Sequence, residues 1–431
     1  MVLSAIPLEF ALLLCFLLGS LTASFLNLAI YRLAWNSRAT SPWSKPPQEL
    51  PPRTLVDRIP ILGWLRLRRE SHHWGKAFWV RPLLIELFFG LGMAMLYWYE
   101  VDADGLFGSR VLQDTIPVSP WWTPLSKRLA FGLFCGHYLL FSLMLVATFI
   151  DIDEKTIPDT ITLPGTLLGL LLVTLNPWML PPETNCQLAV GKEAYTDFMH
   201  VVAPLPWSDI FSTKPTWGAL ALGLGFFWIW CFALLPRCWY TRYGSRRAAR
   251  YFFAKLLRTR FSALILAVAA FGALGILAVW YYGGFHWAGL LSSLFGVAFG
   301  TGILWSVRLI GGAALRKEAM GFGDVTLMAM IGSFIGWQAT LIVFFLAPFA
   351  GLVVGLLQWI LKRDNVVPYG PFLCFATAVL LIFWPSFWGY LGPFFLALGG
   401  SLPLVLLACL AMMAVLLVLL QRVKAVLFKL P

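Results

Sequence analysis

Residues 129–159 read LAFGLFCGHYLLFSLMLVATFIDIDEKTIPD. The stretch 129–150 is an unbroken apolar run about as long as the ~20 residues a helix needs to cross a bilayer. It ends abruptly on Asp151, Asp153 and Glu154. A membrane helix that meets carboxylates at its end sets the reading of the whole chain. Similar runs recur throughout, and they lack the short alternating segments of membrane strands. The expected spans are 5–31, 82–99, 129–150, 159–175, 216–236, 261–282, 287–311, 324–336, 338–361, 370–390 and 398–420. The fold class is therefore an all-α, polytopic transmembrane helix bundle of about eleven helices, within a range of about 8–12.

Composition agrees. The 431 residues are 60% hydrophobic and only 12% charged, against roughly a quarter charged in soluble domains. Mean hydropathy is +0.79. The net charge of +12 comes from basic residues clustered at helix ends, so it does not argue for nucleic acid. Segment 32–81 holds ten Lys or Arg against three acids. Segment 237–260 runs from Arg237 and Arg242 to Arg260 with no acid, and the tail carries Arg422, Lys424 and Lys429. By the positive-inside rule all three belong in the cytoplasm. The N-terminus then lies outside and the C-terminus inside, with 151–158 and 312–323 on the cytoplasmic face. The run Ala5 to Tyr31 lacks a small-residue cleavage site and reads as a retained anchor. The basic run 242–260, interleaved with Tyr243, Tyr251, Phe252 and Phe253, reads as an interfacial segment on anionic lipid rather than an RNA site. Seven scattered cysteines, Cys186 and Cys238 among them, form no CxxC pair, so no structural zinc site is spelled out.

Carboxylates at membrane helix ends are costly and mark functional positions. The first candidate is Asp151. The second is Asp324, in Met320-Gly321-Phe322-Gly323-Asp324. Two carboxyl groups brought together share a proton, and such a pair can activate water and protonate a leaving group. Gly321 and Gly323 permit a close approach of backbone to a peptide beside Asp324. Asp153 belongs to the pair if helix phase differs, and otherwise is a solvated or capping acid. Asp159 follows Pro158 and suits the electropositive start of the next helix. Glu86 lies one turn into an apolar helix, either paired with Arg81 or facing a substrate groove. Asn27 reads as an interhelical donor and His137 as packing.

In order along the chain, several blocks resemble the type IV prepilin peptidases, bilobal aspartic proteases of the bacterial inner membrane. They are Ser24-Phe25-Leu26-Asn27 with Tyr31-Arg32-Leu33, Asp57 to Leu65, Arg81 to Leu87, Ile150 to Asp153 with Ile157-Pro158-Asp159, Lys317-Glu318 with Met320 to Leu327, and Val367 to Leu373. The resemblance implies Asp151 and Asp324 as the catalytic pair; Gly321, Gly323, Asp153, Asp159 and Glu86 are, from their own placement, the candidate substrate-binding or supporting residues. The resemblance also implies a leader-cleaving endopeptidase acting on prepilins or pseudopilins at the cytoplasmic face of the lipid bilayer, with no cofactor for the cleavage. S-adenosylmethionine enters only if methyl transfer is also present. The competing readings are a non-catalytic pilus or secretion assembly component with the same fold, and a proton-coupled transporter.

Three features depart from the family pattern. Many members carry two CxxC pairs around the cytoplasmic segment. Here those cysteines are lost, His72 and His73 lie near the second vacated pair, zinc is not expected, and the lobe would be held by packing. No glycine-rich nucleotide fingerprint is visible. The two aspartates are also unusually far apart in the chain, because 176–286 reads as an insertion of an external loop, two helices and a basic segment. Its two crossings preserve orientation. A smaller departure is Thr326, where a lysine is common. The expected organisation is an N-terminal helix pair with cytoplasmic segment (1–100), a catalytic core (129–175 and 287–390), the insertion (176–286) and an extra C-terminal helix (391–431).

Overall fold

A computed structural model describes residues 7–107, 122–183, 197–203, 215–235, 245–315, 320–360 and 368–428. Cys186, Arg237, Cys238, Arg242, Tyr243, Lys317, Glu318 and Val367 lie outside them. The protein is a multi-pass helical bundle. Among the described residues seven helices are long and apolar enough to cross a membrane, with shorter apolar helices at Asp159–Leu175, Trp217–Ala233 and Gly370–Ile382.

In chain order the helices are α1 (Leu8–Leu33), α2 (Leu62–Leu67), α3 (Ser71–Trp74), α4 (Val80–Tyr97), α5 (Trp122–Glu154), α6 (Asp159–Leu175), α7 (Trp217–Ala233), α8 (Ser245–Arg258), α9 (Arg260–Tyr282), α10 (Gly284–Leu315), α11 (Phe322–Ile360), α12 (Gly370–Ile382), α13 (Trp384–Leu398) and α14 (Leu402–Phe428). Their ends follow local chemistry. Asp159 opens α6 behind an extended Pro158, as an acid at a helix N-terminus should. Thr216 caps α7 by accepting the Ala219 N–H at 3.1 Å.

The break expected near 337 falls at Gly336, whose φ of 74° interrupts α11 in a conformation that glycine adopts without strain. One other expectation needs correction. The span 370–390 is two helices, α12 and α13, parted at Phe383, with proline in the first turn of α13, where a missing N–H is tolerated. The basic segment forms an amphipathic helix, α8, in keeping with the expected interfacial segment, and α9 follows directly.

One hydrophobic cluster joins α1, α4, α5, α11 and α12, and a second joins α6, α7, α9 and α10. Glycines let α10 and α11 touch: a Cβ on Gly296 would fall 2.0 Å from the Gly332 carbonyl oxygen, a close approach typical of membrane helix pairs. At one end of the bundle Trp337 donates to the Val201 carbonyl at 2.9 Å, Gln338 to His200 at 2.7 Å and Trp384 to Pro182 at 2.9 Å. The loop after α6 is thereby fastened to the break in α11. Asp151, Asp324 and Gly370 gather at the opposite end.

The lobe between α1 and α4 is not held by packing alone. Arg53 and Glu70 pair at 2.8 Å with side chains 2% and 0% exposed. Arg53 also donates to the carbonyls of Ala39, Ser41 and Ser44, and Trp74 donates to Glu70. Asp57 accepts from Thr54 N–H and hydroxyl and from Arg69, with Arg66 alongside. Burial raises the Asp57 carboxyl, but the Thr54 hydrogen bonds and Arg69 outweigh it and hold the group below its usual 3.8.

Candidate active site

Three acids close α5, and each is fastened to a different element. Glu154 accepts the N–H groups of Trp35 (2.6 Å) and Asn36 (2.8 Å), just beyond α1. Asp153 pairs with Arg81 of α4 at 2.7 Å, and that guanidinium also lies over the Phe149 ring. Asp151 turns inward instead, only 4% exposed.

Asp151 meets the start of α12. Gly370 is the first residue of that helix, so its N–H has no partner one turn back. It donates to Oδ2 of Asp151 at 3.1 Å. The same N–H faces the carboxylate of Asp324, which is 7% exposed, lies in the first turn of α11 and also has the Gly321 N–H beside it. The two carboxylates are within Coulombic range of each other, and so is the guanidinium of Arg308 on α10. A Cβ at Gly370 would stand 2.6 Å from Oδ2 of Asp151 and 2.8 Å from Cδ1 of Ile157, so the contact needs glycine. Tyr369 adjoins Asp324; burial, and then the Asp324 charge, push its phenol well above the usual range, which leaves it a neutral donor at the mouth of the site.

The glycines beside Asp324 divide their work. A Cβ on Gly323 would be 2.9 Å from Cβ of Ile157, whereas one on Gly321 would meet only Oδ2 of Asp324, at 3.6 Å, and the Gly323 nitrogen, at 3.9 Å. The close approach at Gly323 is thus to the chain's own turn after α5, and the open side lies at Gly321. Thr326 donates to the Gly323 carbonyl at 3.0 Å and accepts from Thr162 of α6 at 3.1 Å. It ties two helices together, while the nearby cation, Arg308, comes from another helix.

The remaining candidates sit apart. Asp159 is exposed at the start of α6. Glu86 is fully buried and does not pair with Arg81. It accepts from Ile61 N–H (2.6 Å), the Trp64 indole (2.8 Å) and Asn27 (3.4 Å). Ile61 has φ 64°, an unfavourable angle for a β-branched residue, and its N–H is held by that carboxylate. Glu86 therefore anchors the lobe to α1 and α4. His137 is not simple packing: its Nδ1 lies 2.7 Å from Glu100, both 1% exposed.

The lobe does not fit zinc. The buried Arg53–Glu70 pair occupies its interior, the buried Asp57 is paired with the half-buried Arg69, and His73 faces Glu49 at 3.7 Å on the surface. Among the described residues no group of three or more His, Cys, Asp or Glu side chains is placed to hold a metal ion.

Two family models match the chain. Residues 17–100 match the bacterial peptidase A24 N-terminal domain, and residues 254–356 match the type IV leader peptidase family. Over these two stretches the chain is similar to the type IV leader peptidases. Prepilin leader peptidase/N-methyltransferases are among its relatives. The Pseudomonas aeruginosa protein is 35% identical over 98 residues, 22% of this chain and 34% of that protein. The Burkholderia pseudomallei protein is 34% identical over 116 residues, 26% and 34%. The Aeromonas hydrophila protein is 31% identical over 118 residues, 23% and 39%. The chain thus spans about a third of the length of these curated relatives. No solved structure matches. The leader-peptidase matches contain Glu86, Arg308, Gly321, Gly323 and Asp324, whereas Asp151, Asp153, Asp159 and Gly370 fall outside them.

Gly370 and Arg308 were not among the expected site residues. The signal for Gly370 is Tyr369-Gly370-Pro371, a proline near a helix start, which predicts free N–H groups but not what they face. Nothing local marks Arg308.

Proposed function

We propose that the chain is a membrane aspartic endopeptidase that removes the leader from prepilins or pseudopilins at the cytoplasmic face, with Asp151 and Asp324 as its pair. The observation that carries this reading is the single Gly370 N–H facing both carboxylates. It brings together two acids that the chain and its long insertion hold far apart. The relatives' name supports the substrate class.

The chemistry follows from the pair. Neighbouring carboxyl groups share one proton. The ionised member takes a proton from water while the water oxygen bonds to the scissile carbonyl carbon, and the protonated member gives its proton to the carbonyl oxygen. Collapse of the tetrahedral intermediate breaks the C–N bond. As that bond breaks, the amine nitrogen takes the proton that water had lost, and the proton of the carbonyl oxygen returns to the pair. The Gly370 N–H, at a helix start, and Arg308 stabilise the negative charge held there. Gly321, Gly323, Asp153, Asp159 and Glu86 support the site from around it: Gly321 leaves room beside Asp324, and the others fix helix ends and the lobe.

The same proposal places the protein in the bacterial inner membrane, N-terminus out and C-terminus in. Support comes from the basic segments and from the sorting of the loop after α6 and the aspartates to opposite ends of the bundle. It keeps the expected division into N-terminal pair with lobe, catalytic core, insertion and extra C-terminal helix. Peptide hydrolysis by this pair needs no cofactor. The relatives are also named as N-methyltransferases, and S-adenosylmethionine is the donor that such a second activity would require. Incubating the cleaved product with that donor tests it.

Coexpression with a candidate prepilin, scored by mass shift, tests the peptidase. Wild type removes the leader, and Asp151→Asn and Asp324→Asn each fail. Wild-type cleavage by either variant refutes the pair. Absence of cleavage by the wild type across prepilins favours a non-catalytic assembly role.

A further inference from the structure

An open apolar trough of about 910 Å³ lies between α4, α5 and α12. Its walls include Leu84, Phe88 and Gly92 of α4, Phe141 and Leu145 of α5, and Ala378 of α12. Along α4 and the helical turn that continues it, the trough runs from Arg81 to Tyr99, which at ~1.5 Å per residue is about 27 Å, close to the ~30 Å hydrocarbon thickness of a bilayer. Phe88 and Met95 are 64% and 66% exposed along it. One end is polar, closed by the Arg81–Asp153 pair. At that end the wall includes Thr148, one turn before Asp151, and Cys374, one turn into α12 and within Coulombic range of both aspartates.

We infer that this trough seats the apolar membrane helix of the substrate, so that the residues just beyond its cytoplasmic end reach Asp151 and Asp324. The inference rests on the peptidase reading and adds to it the path by which the substrate arrives. Height selects the occupant. A lipid acyl chain reaches only about half the hydrocarbon thickness, whereas the trough has a polar stop at one end and extends along α4 for nearly the full span. Its α4 wall also has a notch. A Cβ added to Gly92 meets nothing within 4 Å, and small residues are what let a second membrane helix approach closely.

That notch supplies the test. In Gly92→Leu the new side chain enters open space, so the helix is kept and the trough is filled. The full-length protein in liposomes is assayed on an intact membrane-embedded prepilin and on a water-soluble peptide that carries only the leader and cleavage site. Gly92→Leu is expected to lower kcat/KM for the embedded substrate, relative to the peptide, about tenfold, mainly through KM. Gly275→Leu, equally open but on α9, serves as the control and leaves the ratio as in wild type. An unchanged ratio in Gly92→Leu, or an equal fall for both substrates, overturns the inference. A photoreactive benzoylphenylalanine in place of Phe88 gives a readout independent of cleavage. A cross-link to the prepilin helix is expected, and cross-links to lipid alone overturn the inference. If wild type cleaves neither substrate, the peptidase reading falls, and the cross-link still decides the trough.

Discussion

Gly370 donates its backbone N–H to Oδ2 of Asp151 across 3.1 Å, and the same N–H faces Asp324. One donor at the start of α12 therefore holds the acid on α5 and lies against the acid on α11. A Cβ there would fall 2.6 Å from the Asp151 oxygen. Gly370→Ala should displace that carboxylate and lower kcat/KM for leader removal about 100-fold, the scale on which ångström misplacement acts. The measurement is cleavage kinetics beside a thermal melt. Wild-type kinetics would show that the contact is dispensable.

Asp151 and Asp324 should act as a unit. The double variant Asp151→Asn/Asp324→Asn is expected to be no slower than the worse single variant, because groups that work together are strongly non-additive. Additive losses in single-turnover cleavage would mean separate roles.

The lobe should depend on its buried ion pair. Glu70→Gln leaves Arg53 uncompensated and should cost ~3–5 kcal/mol of lobe stability, whereas Arg53→Met with Glu70→Leu should recover part of it. Limited proteolysis of segment 34–79 reads this directly. Cleavage activity should also survive a strong zinc chelator, because ion pairs stand inside the lobe. Loss of activity on chelation would contradict that assignment.

Acid should loosen the same lobe through Asp57. Its carboxyl lies below 3.8 in the folded protein, so its contribution is complete above the unfolded value and is lost as pH falls through the folded one. Proteolytic protection of the lobe should drop below about pH 3.8, and Asp57→Asn should remove that step while lowering protection at neutral pH.

Glu86 should matter to the lobe as well as to the membrane helices. In Glu86→Ala the Ile61 N–H and the Trp64 indole lose their acceptor, about 1–3 kcal/mol for each buried group left unsatisfied. Faster hydrogen exchange at Ile61 to Leu67, with the bundle otherwise intact, is the expected result. Unchanged exchange would show that Glu86 is not the anchor.

Much of the architecture was legible along the chain because its causes are local. Apolar runs long enough for a bilayer, charged ends, a proline before Asp159 and a glycine at the break in α11 each act within a turn or two. The boundary between α12 and α13 was less legible, since Phe383 and Trp384 keep the run apolar while the backbone turns. The catalytic candidates were visible as acids at membrane helix ends, a costly placement that sequence alone exposes.

Their partners were not visible. Asp151, Asp153 and Glu154 sit within four residues, yet they bind α12, α4 and the chain beyond α1 respectively. Glu86 binds Ile61 rather than Arg81, and His137 meets Glu100 across two helices. Sequence determined that this is a membrane helix bundle with Asp151 and Asp324 at helix ends, because hydropathy and turn chemistry are properties of contiguous residues. Only the tertiary structure decided that one Gly370 N–H faces both, that Arg308 supplies the nearby charge and that ion pairs fill the lobe. Those contacts depend on the rotation and depth at which helices pack, and no single segment encodes either.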